Sequence, residues 1–222
     1  MKTLSIGNRS VTFHQAEEWV SSHTSKPSNP KKPFGYPWYD TYDTGTSDEI
    51  VDGDLLAPTL LNVRIPIVTY QSLKSISPTL NRILTEIPPG TSLLAANDLG
   101  AISRLYATLD SDPRPFGVKA TVLAKVLHRK RPDFIPLYDK QIRRCYSDPF
   151  AGAPAKIENS SDLSWAEFMT LVASLIRSDI LKSRSEWDDL RRSNQGDTEI
   201  NLLRCFDIVA WNCGKLVAGD NL

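Results

Sequence analysis

One segment of the chain, residues 114–146, combines a glycine turn, many basic side chains and an aspartate at the start of a helix. The turn lies at Gly117, and Asp139 ends a short extended stretch. The segment holds nine Lys or Arg residues against two acids, although the whole chain is neutral. A carboxylate can exchange protons or stabilise positive charge, and clustered cations attract phosphates. The segment therefore predicts chemistry on an anionic partner.

The turn and the cations that follow it are candidate phosphate contacts. Backbone N–H groups at a helix start lack partners inside the helix, and the helix dipole favours an anion there. Lys and Arg side chains add affinity that does not depend on base sequence. The candidates are Gly117, Val118, Lys125, Arg129, Lys130, Arg131 and Arg143. In the alternative interpretation, the run from His128 to Arg131 is a solvated helix end, where cations also suit the dipole.

Aromatic rings and carboxylates are concentrated in residues 34–45, FGYPWYDTYDTG, which we call the aromatic strap. One interpretation is a segment packed over the core. The other is a pocket wall that stacks on a flat ligand, with hydroxyls and carboxylates fixing the ligand's orientation. The pocket residues in that case are Trp38, Tyr39, Tyr42 and Asp43.

The hydrophobic spacing predicts a mainly α fold. Residues 1–51 are expected to be an irregular N-terminal segment that carries the strap, and residues 52–222 a helical body, together making one two-lobed domain. Helical spacing is clear in 11–21, 52–63, 70–84, 99–109, 118–129, 161–180, 186–192 and 199–216, and another helix begins near Asp139. Trp165, Trp187 and Trp211 share this spacing with apolar residues, which predicts that they belong to the core.

Composition excludes several classes of protein. With 41% hydrophobic and 23% charged residues, the 222-residue chain is ordinary for a globular protein and can bury a core. No apolar run approaches the roughly 20 residues that span a bilayer, and the start MKTLSIGNRS lacks the apolar centre of a signal peptide. We therefore expect a cytoplasmic protein with no membrane partner.

Cysteines and histidines give no sign of a metal or cofactor. Cys145, Cys205 and Cys213 are too scattered for a metal cluster, and their odd number argues against a disulfide framework. We expect reduced, structural thiols. His14, His23 and His128 lack the spacing of metal ligands, so no metal site and no cofactor are predicted.

Residues 113–146 resemble the helix-hairpin-helix superfamily of DNA glycosylases. The resemblance lies in a glycine hairpin, a helix, and the stretch Ile135 to Asp139 that leads into a helix with Arg143. Lys119 follows Val118 where that superfamily has a second glycine. Through GDLLAPTLLNV, LHRKRPDFIPLYD and LLRCFDIVAWN, the chain is also similar to an uncharacterised bacterial family found largely in actinobacteria.

The resemblance implies base excision from DNA. Such an enzyme flips a nucleotide out of the duplex and cleaves its N-glycosidic bond, leaving an abasic site. Asp139 would be the carboxylate that stabilises positive charge on the sugar or orients the attacking water. Its alternative role is a simple helix cap. Lys119 lies close to the position of the Schiff-base lysine of glycosylases that also nick the strand, and its alternative role is a solvated or phosphate-binding lysine.

Several functions remain open at this point. The strap's aromatic rings and carboxylates would suit a base that carries hydroxyl groups, such as the glucosylated hydroxymethylcytosine of phage DNA, which points to an anti-phage glycosylase. Repair of damaged bases is the rival within the same class. Other classes are a non-catalytic DNA-binding module and a nucleoside or small-molecule hydrolase that uses the strap as its pocket. We expect a monomer that binds double-stranded DNA and holds no iron-sulfur cluster, since the cysteines are scattered.

Overall fold

The computed structural model describes residues 2–7, 9–26, 36–46, 48–146 and 163–217. These residues form a hairpin, ten α-helices and one 3-10 helix. The strands are β1 (Thr3–Ile6) and β2 (Arg9–Thr12). The helices are α1 (Phe13–Thr24), α2 (Tyr36–Thr41), α3 (Asp52–Leu56), the 3-10 helix (Ala57–Leu61), α4 (Ile67–Leu84), α5 (Gly100–Ala107), α6 (Ala120–Lys130), α7 (Lys140–Tyr146), α8 (Trp165–Lys182), α9 (Arg184–Arg192) and α10 (Leu202–Val217). The mainly α prediction is confirmed.

The N-terminal residues are more regular than the sequence suggested. β1 pairs antiparallel with β2, with Leu4 opposite Val11. The Thr12 side chain then caps α1 by accepting a hydrogen bond from the Gln15 N–H at 3.2 Å. The helical spacing at 11–21 corresponds to α1 (Phe13–Thr24), whereas the two strands were not predicted. Each strand has only four residues, too few for an alternating pattern to stand out in the sequence.

The helix expected at 52–63 divides in two. α3 ends at Leu56, and the backbone continues as the 3-10 helix, which ends at Asn62 with a left-handed φ of 58°. Pro58 lies at the start of the 3-10 helix and has no N–H to donate into a longer α-helix. This division turns the chain at Asn62.

One continuous core extends from Leu4 in β1 to Cys213 in α10. At one close crossing α7 packs against α10, where a Cβ on Gly214 would lie 2.2 Å from the Gln141 carbonyl oxygen. The three cysteines are buried in this core, and the Cys145 thiol donates to the Ala210 carbonyl. The close crossing brings the start of α7 against the last turn of α10.

α6 is the central helix of the site. Of its eleven residues, only Thr121 and Arg129 are not buried, so the helix is covered on all sides. The twelve-residue connection from α5 to α6 contains Gly117, whose φ is 75°, and this turn packs against Thr69 at the start of α4. Among the described helices, none combines the length and apolarity that a membrane span requires.

Candidate active site

Much of the basic segment faces the protein interior. Lys130 is buried and forms an ion pair with the buried Asp54 carboxylate at 2.5 Å. Arg129 donates to the same carboxylate at 3.2 Å. Two of the expected phosphate-binding cations are thus neutralised by an acid that lies 75 positions away from Arg129 in the chain.

These cations also hold the aromatic strap in place. The Arg129 guanidinium donates to the carbonyl oxygens of Tyr39, at 2.8 Å, and of Tyr42. The Lys130 ammonium donates to the carbonyl oxygen of Thr46, the residue that follows the strap, at 2.7 Å. The strap is therefore fastened over α6 by charge-assisted hydrogen bonds to its backbone.

Arg131 has a structural role of the same kind. Its buried guanidinium donates to the carbonyl oxygens of Leu84, at 2.8 Å, and Ile87, at and beyond the end of α4. The expectation that Arg129, Lys130 and Arg131 form an exposed phosphate-binding surface is corrected by these contacts. Carbonyl groups at the end of a helix lack hydrogen-bond donors within the helix, and the Arg131 guanidinium provides these donors.

The remaining candidates for phosphate contacts differ in their exposure to solvent. Val118 is buried and its N–H donates to the Pro115 carbonyl at 3.2 Å, so this amide is used within the turn. Gly117 and Arg143 are exposed. Lys119 precedes α6, its side chain is exposed, and it does not line the cleft that contains Asp139. The lysine in that cleft is Lys125.

Asp139 lies in a small cleft of about 110 Å³, which we call the inner cleft. Its polar walls are His23, Asn62, Lys125, Asp139, Arg204 and Asp207. Leu61 and the Trp211 ring complete the lining. Two carboxylates and two cations thus converge on one space at the α7–α10 crossing.

The Asp139 carboxylate is fixed by the backbone of α7. One of its oxygens, Oδ1, accepts hydrogen bonds from the Gln141 N–H at 2.8 Å and the Ile142 N–H at 3.2 Å. This is the helix-cap geometry, and it orients the carboxylate. Capping and a role in chemistry are compatible here, because Oδ2 has no hydrogen-bond partner among the described residues.

Asp207 and Arg204 stand one turn apart on α10. The Arg204 guanidinium is buried, donates to the Asp207 carboxylate, and holds Asp40 of the strap at 2.8 Å. Burial raises the pKa of Asp207 to about 6, and the neighbouring Asp139 acts in the same direction against the lowering effect of Arg204. Asp207 is therefore a carboxyl group that exchanges protons close to neutral pH.

Lys125 reaches the inner cleft from α6 and is only 5% exposed. Its ammonium group makes no hydrogen bond or close ion pair within the described part of the chain. Burial lowers the pKa of Lys125, and this effect is opposed by the nearby charges of Asp139 and Asp207. A buried lysine without a close partner is a reactive type of amine.

The strap borders a larger space, the outer cleft, of about 500 Å³. Tyr39, Tyr42 and Asp43 line it, as does Arg204, which therefore forms part of both clefts. Tyr39 is buried, and its hydroxyl donates to the Lys125 carbonyl at 2.6 Å. The exposed Trp38 ring instead lines an adjoining apolar groove, together with the other faces of Tyr42 and Asp43.

The side chains of the strap therefore divide between the core and the cleft rim. Tyr39 packs over the core, stacked on the His128 ring with the ring centroids 6.4 Å apart. Tyr42 and Asp43 stay exposed at the cleft rim. Phe34, also part of the strap, lies outside the described residues.

The two histidines near the site are neutral. Burial lowers the pKa of His128 to about 3, although the hydrogen bond between its Nδ1 and the Ile135 carbonyl, 2.7 Å long, opposes that shift. Burial also holds the pKa of His23 well below its usual value, with Arg204 adding to the effect. His23 packs edge-on against Trp211, with 5.8 Å between ring centroids.

Sequence reasoning missed Arg204 and Asp207, and assigned Trp211 to the core. A signal for them existed in LLRCFDIVAWN, because Arg204, Asp207 and Trp211 follow one another at helical spacing on a single face of an otherwise apolar helix. Two charges on a buried helix face require partners. No cluster of three or more His, Cys, Asp or Glu side chains suited to a metal occurs in the part of the chain that the structure describes.

Comparison with known proteins identifies the family of the chain. It belongs to a family of unknown function, DUF6308, whose profile matches residues 16–214. The matched region includes the strap, α6, Asp139 and the charged face of α10. No curated protein and no solved structure shows significant similarity to the chain.

Proposed function

We propose that this protein is a DNA glycosylase that hydrolyses the N-glycosidic bond of a modified base and leaves an abasic site. The observation that carries the proposal is the inner cleft, where an oriented carboxylate, Asp139, shares one space with a second carboxylate, Asp207, and a buried lysine, Lys125. Cleavage of a glycosidic bond requires stabilisation of positive charge on the sugar and a proton for the departing base. The cleft offers a group for each requirement.

The roles follow from the surroundings of each group. Asp139, held by two backbone amides, stabilises the developing charge at C1′ or orients the attacking water. Asp207, with a pKa raised to about 6, is the group able to give a proton to the departing base. Lys125 places a buried positive charge close to both carboxylates.

The outer cleft favours a substrate base that carries a hydroxyl-rich group. Its volume of about 500 Å³ is in the range of small-ligand sites, whereas the inner cleft is much smaller. Tyr42 offers an aromatic face, and Asp43 and Asn201 offer hydrogen-bonding groups at the wall. Glucosylated hydroxymethylcytosine of phage DNA matches this chemistry, which makes anti-phage defence the proposed role.

The test is release of free base and formation of alkali-labile abasic sites. Phage DNA with glucosylated hydroxymethylcytosine is compared with unmodified DNA, using wild type and Asp139→Asn. Product from modified DNA alone, reduced at least about 100-fold in the variant, is the expected result. Product from duplexes with damaged bases instead would assign the protein to repair. Binding of all these DNAs without product from any would leave a non-catalytic DNA-binding module.

One observation favours a second candidate, hydrolysis of free nucleosides. Arg129, Lys130 and Arg131 are engaged inside the protein, and a nucleoside hydrolase needs no surface for phosphates. Incubation of the same modified residue as a free nucleoside and within an oligonucleotide separates the candidates. Faster release from the oligonucleotide supports the glycosylase, and faster release from the nucleoside supports the hydrolase.

A further inference from the structure

A rigid apolar projection stands on the surface at the Gly117 turn. Phe116 is 74% exposed there, and Ile67 and Val68 at the start of α4 are 67% and 43% exposed. The two elements are held together, because a Cβ on Gly117 would lie 2.4 Å from the Thr69 Oγ1. We call Phe116, Ile67 and Val68 the apolar tip.

The turn that carries Phe116 has a fixed backbone. Gly117 has a φ of 75°, a conformation that side chains rarely permit, and the Val118 N–H closes the turn on the Pro115 carbonyl at 3.2 Å. An exposed aromatic ring on such a turn loses little further freedom when it inserts into a partner.

Cations flank the apolar tip. The side chains of Arg64, Arg114 and Lys119 are exposed and have no partner among the described residues. In the loop before the tip, Asp110 is used to accept the backbone N–H groups of Trp165 and Ala166, at 2.9 and 3.0 Å, which leaves Asp112 as the exposed acid there. Apolar surface bordered by cations is complementary to stacked bases bordered by phosphates.

The tip lies within reach of the inner cleft. Asn62 lines the cleft, and five residues along the chain lead to Ile67. An extended chain of that length spans at most about 18 Å. One nucleic-acid strand can therefore contact the tip and the cleft together. A second copy of the chain fits less well, because self-association through the tip would bring the flanking cations of both copies together.

We propose that the apolar tip is a wedge for nucleic acid. Phe116 enters the base stack and occupies the space of the nucleotide that leaves it, while Arg64, Arg114 and Lys119 contact the neighbouring phosphates. This inference rests on the proposed function for its choice of partner, because the displaced nucleotide is the one delivered to the inner cleft. Insertion of an apolar side chain unstacks the base step that it enters.

Fluorescence of 2-aminopurine tests the wedge without any need for turnover. The base brightens when it loses its stacking neighbours, so it is placed beside the modified nucleotide in a duplex and titrated with Asp139→Asn. We expect a rise in fluorescence with Asp139→Asn. The rise should be at least fivefold smaller with the double variant that also carries Phe116→Ala, at DNA concentrations that saturate both proteins. Leu181→Ala, on α8, is the matched control, since Leu181 is also exposed at 47% and lies outside the tip. It should leave the rise unchanged.

Each other outcome overturns the wedge. An equal rise in fluorescence with and without the Phe116 ring would overturn the wedge proposal. So would the absence of any rise with Asp139→Asn alone. If Phe116→Ala instead changes the sedimentation of the free protein or its binding to phosphatidylglycerol vesicles, the tip serves self-association or a membrane. The proposed function is judged separately: loss of the rise in Phe116→Ala without base release from any DNA would keep the wedge and reject the glycosylase. If Phe116→Ala leaves base release unchanged and no rise in fluorescence occurs, the glycosylase is kept and the wedge is rejected.

Discussion

Lys119 and Lys125 lie six positions apart around the start of α6 but have opposite surroundings. Lys119 is exposed at the end of the Gly117 turn, whereas Lys125 is buried in the inner cleft with Asp139. Spacing to Asp139 made Lys119 the candidate, but a residue at the N-terminal end of the helix does not face the space that a residue one and a half turns later reaches. The candidate lysine is therefore Lys125.

Substitution of the two lysines should give different results. Lys125→Met should lower the rate of base release at saturating DNA at least about 100-fold, because the inner cleft loses its buried charge. Lys119→Ala should stay within about threefold of wild type in the same single-turnover assay. Thermal melting of both variants checks that the fold is kept. Equal losses in the two variants would contradict the assignment of Lys125.

Asp207 should give stability a characteristic dependence on pH. Its pKa is raised by burial to about 6, so the folded protein favours the protonated form more than the unfolded chain does. The stabilisation is fully present below the unfolded pKa near 4 and is lost as pH rises through about 6. The loss is on the order of 3 kcal/mol.

Asp207→Asn should remove this dependence. Urea denaturation from pH 4 to 8 should show the free energy of unfolding of wild type falling relative to that of the variant between pH 4 and 6. Parallel profiles would show that Asp207 is ionised throughout and would exclude it as the proton donor. Glu49→Gln is the control, because Glu49 is exposed and lines neither cleft.

At the scale of elements, the strap and α6 depend on Asp54. Its buried carboxylate pairs with Lys130 and Arg129, and it also accepts from the Thr44 hydroxyl of the strap at 3.0 Å and from the Val51 N–H at 2.9 Å. One side chain of α3 thereby connects α6, the strap and the start of its own helix. The outer cleft keeps its wall through these bonds.

Removal of the Asp54 carboxylate should strongly destabilise the folded protein. Asp54→Ala leaves a buried ammonium and a largely buried guanidinium without their acid, which should lower the free energy of unfolding by about 3–5 kcal/mol. Asp54→Leu with Lys130→Met removes both buried charges of the closest pair and should recover part of the loss. Urea denaturation measures all variants. Asp52→Asn, two residues away in an exposed pair with Lys74, should change little, and an equal effect there would contradict the special role of Asp54.

At the scale of the whole molecule, the neutral chain presents fewer exposed cations than its sequence suggested. Among the described residues of the basic segment, Lys125 and Arg129 to Arg131 are internal, while Arg114, Lys119, Lys140 and Arg143 remain exposed. Non-specific affinity for DNA depends on the number of phosphates neutralised. Binding should therefore be salt-dependent, but only moderately.

The salt dependence can be measured by fluorescence anisotropy of a labelled duplex. The slope of log affinity against log salt should lie between about −3 and −5, since each neutralised phosphate contributes about −0.9. Lys119→Gln should make the slope shallower by about one unit. Lys182→Gln, which removes an exposed cation paired with Asp179 on α8, should leave it unchanged. A wild-type slope near −8 would mean that the internal cations also reach phosphates.

Local patterns in the sequence were enough for most of the secondary structure. The spacing of apolar residues predicted α4, α8 and α9 to within four residues at each end, and the start of α7 after Asp139 was confirmed. These features depend on contacts between residues three and four apart and on the free amides at a helix start. Such interactions can be read from neighbouring residues, so the sequence by itself determined the mainly α fold and the cap position of Asp139.

Only the tertiary structure decided which charges face solvent and which meet in the site. Lys130 and Arg129 resemble a solvated helix end until Asp54 is brought to them from α3. The inner cleft brings together Asp139, which precedes α7, and Asp207 of α10, and Gly214 lets α10 approach the Gln141 backbone closely. A charge is buried or exposed according to partners that lie far away in the chain, and local spacing contains no information on those partners.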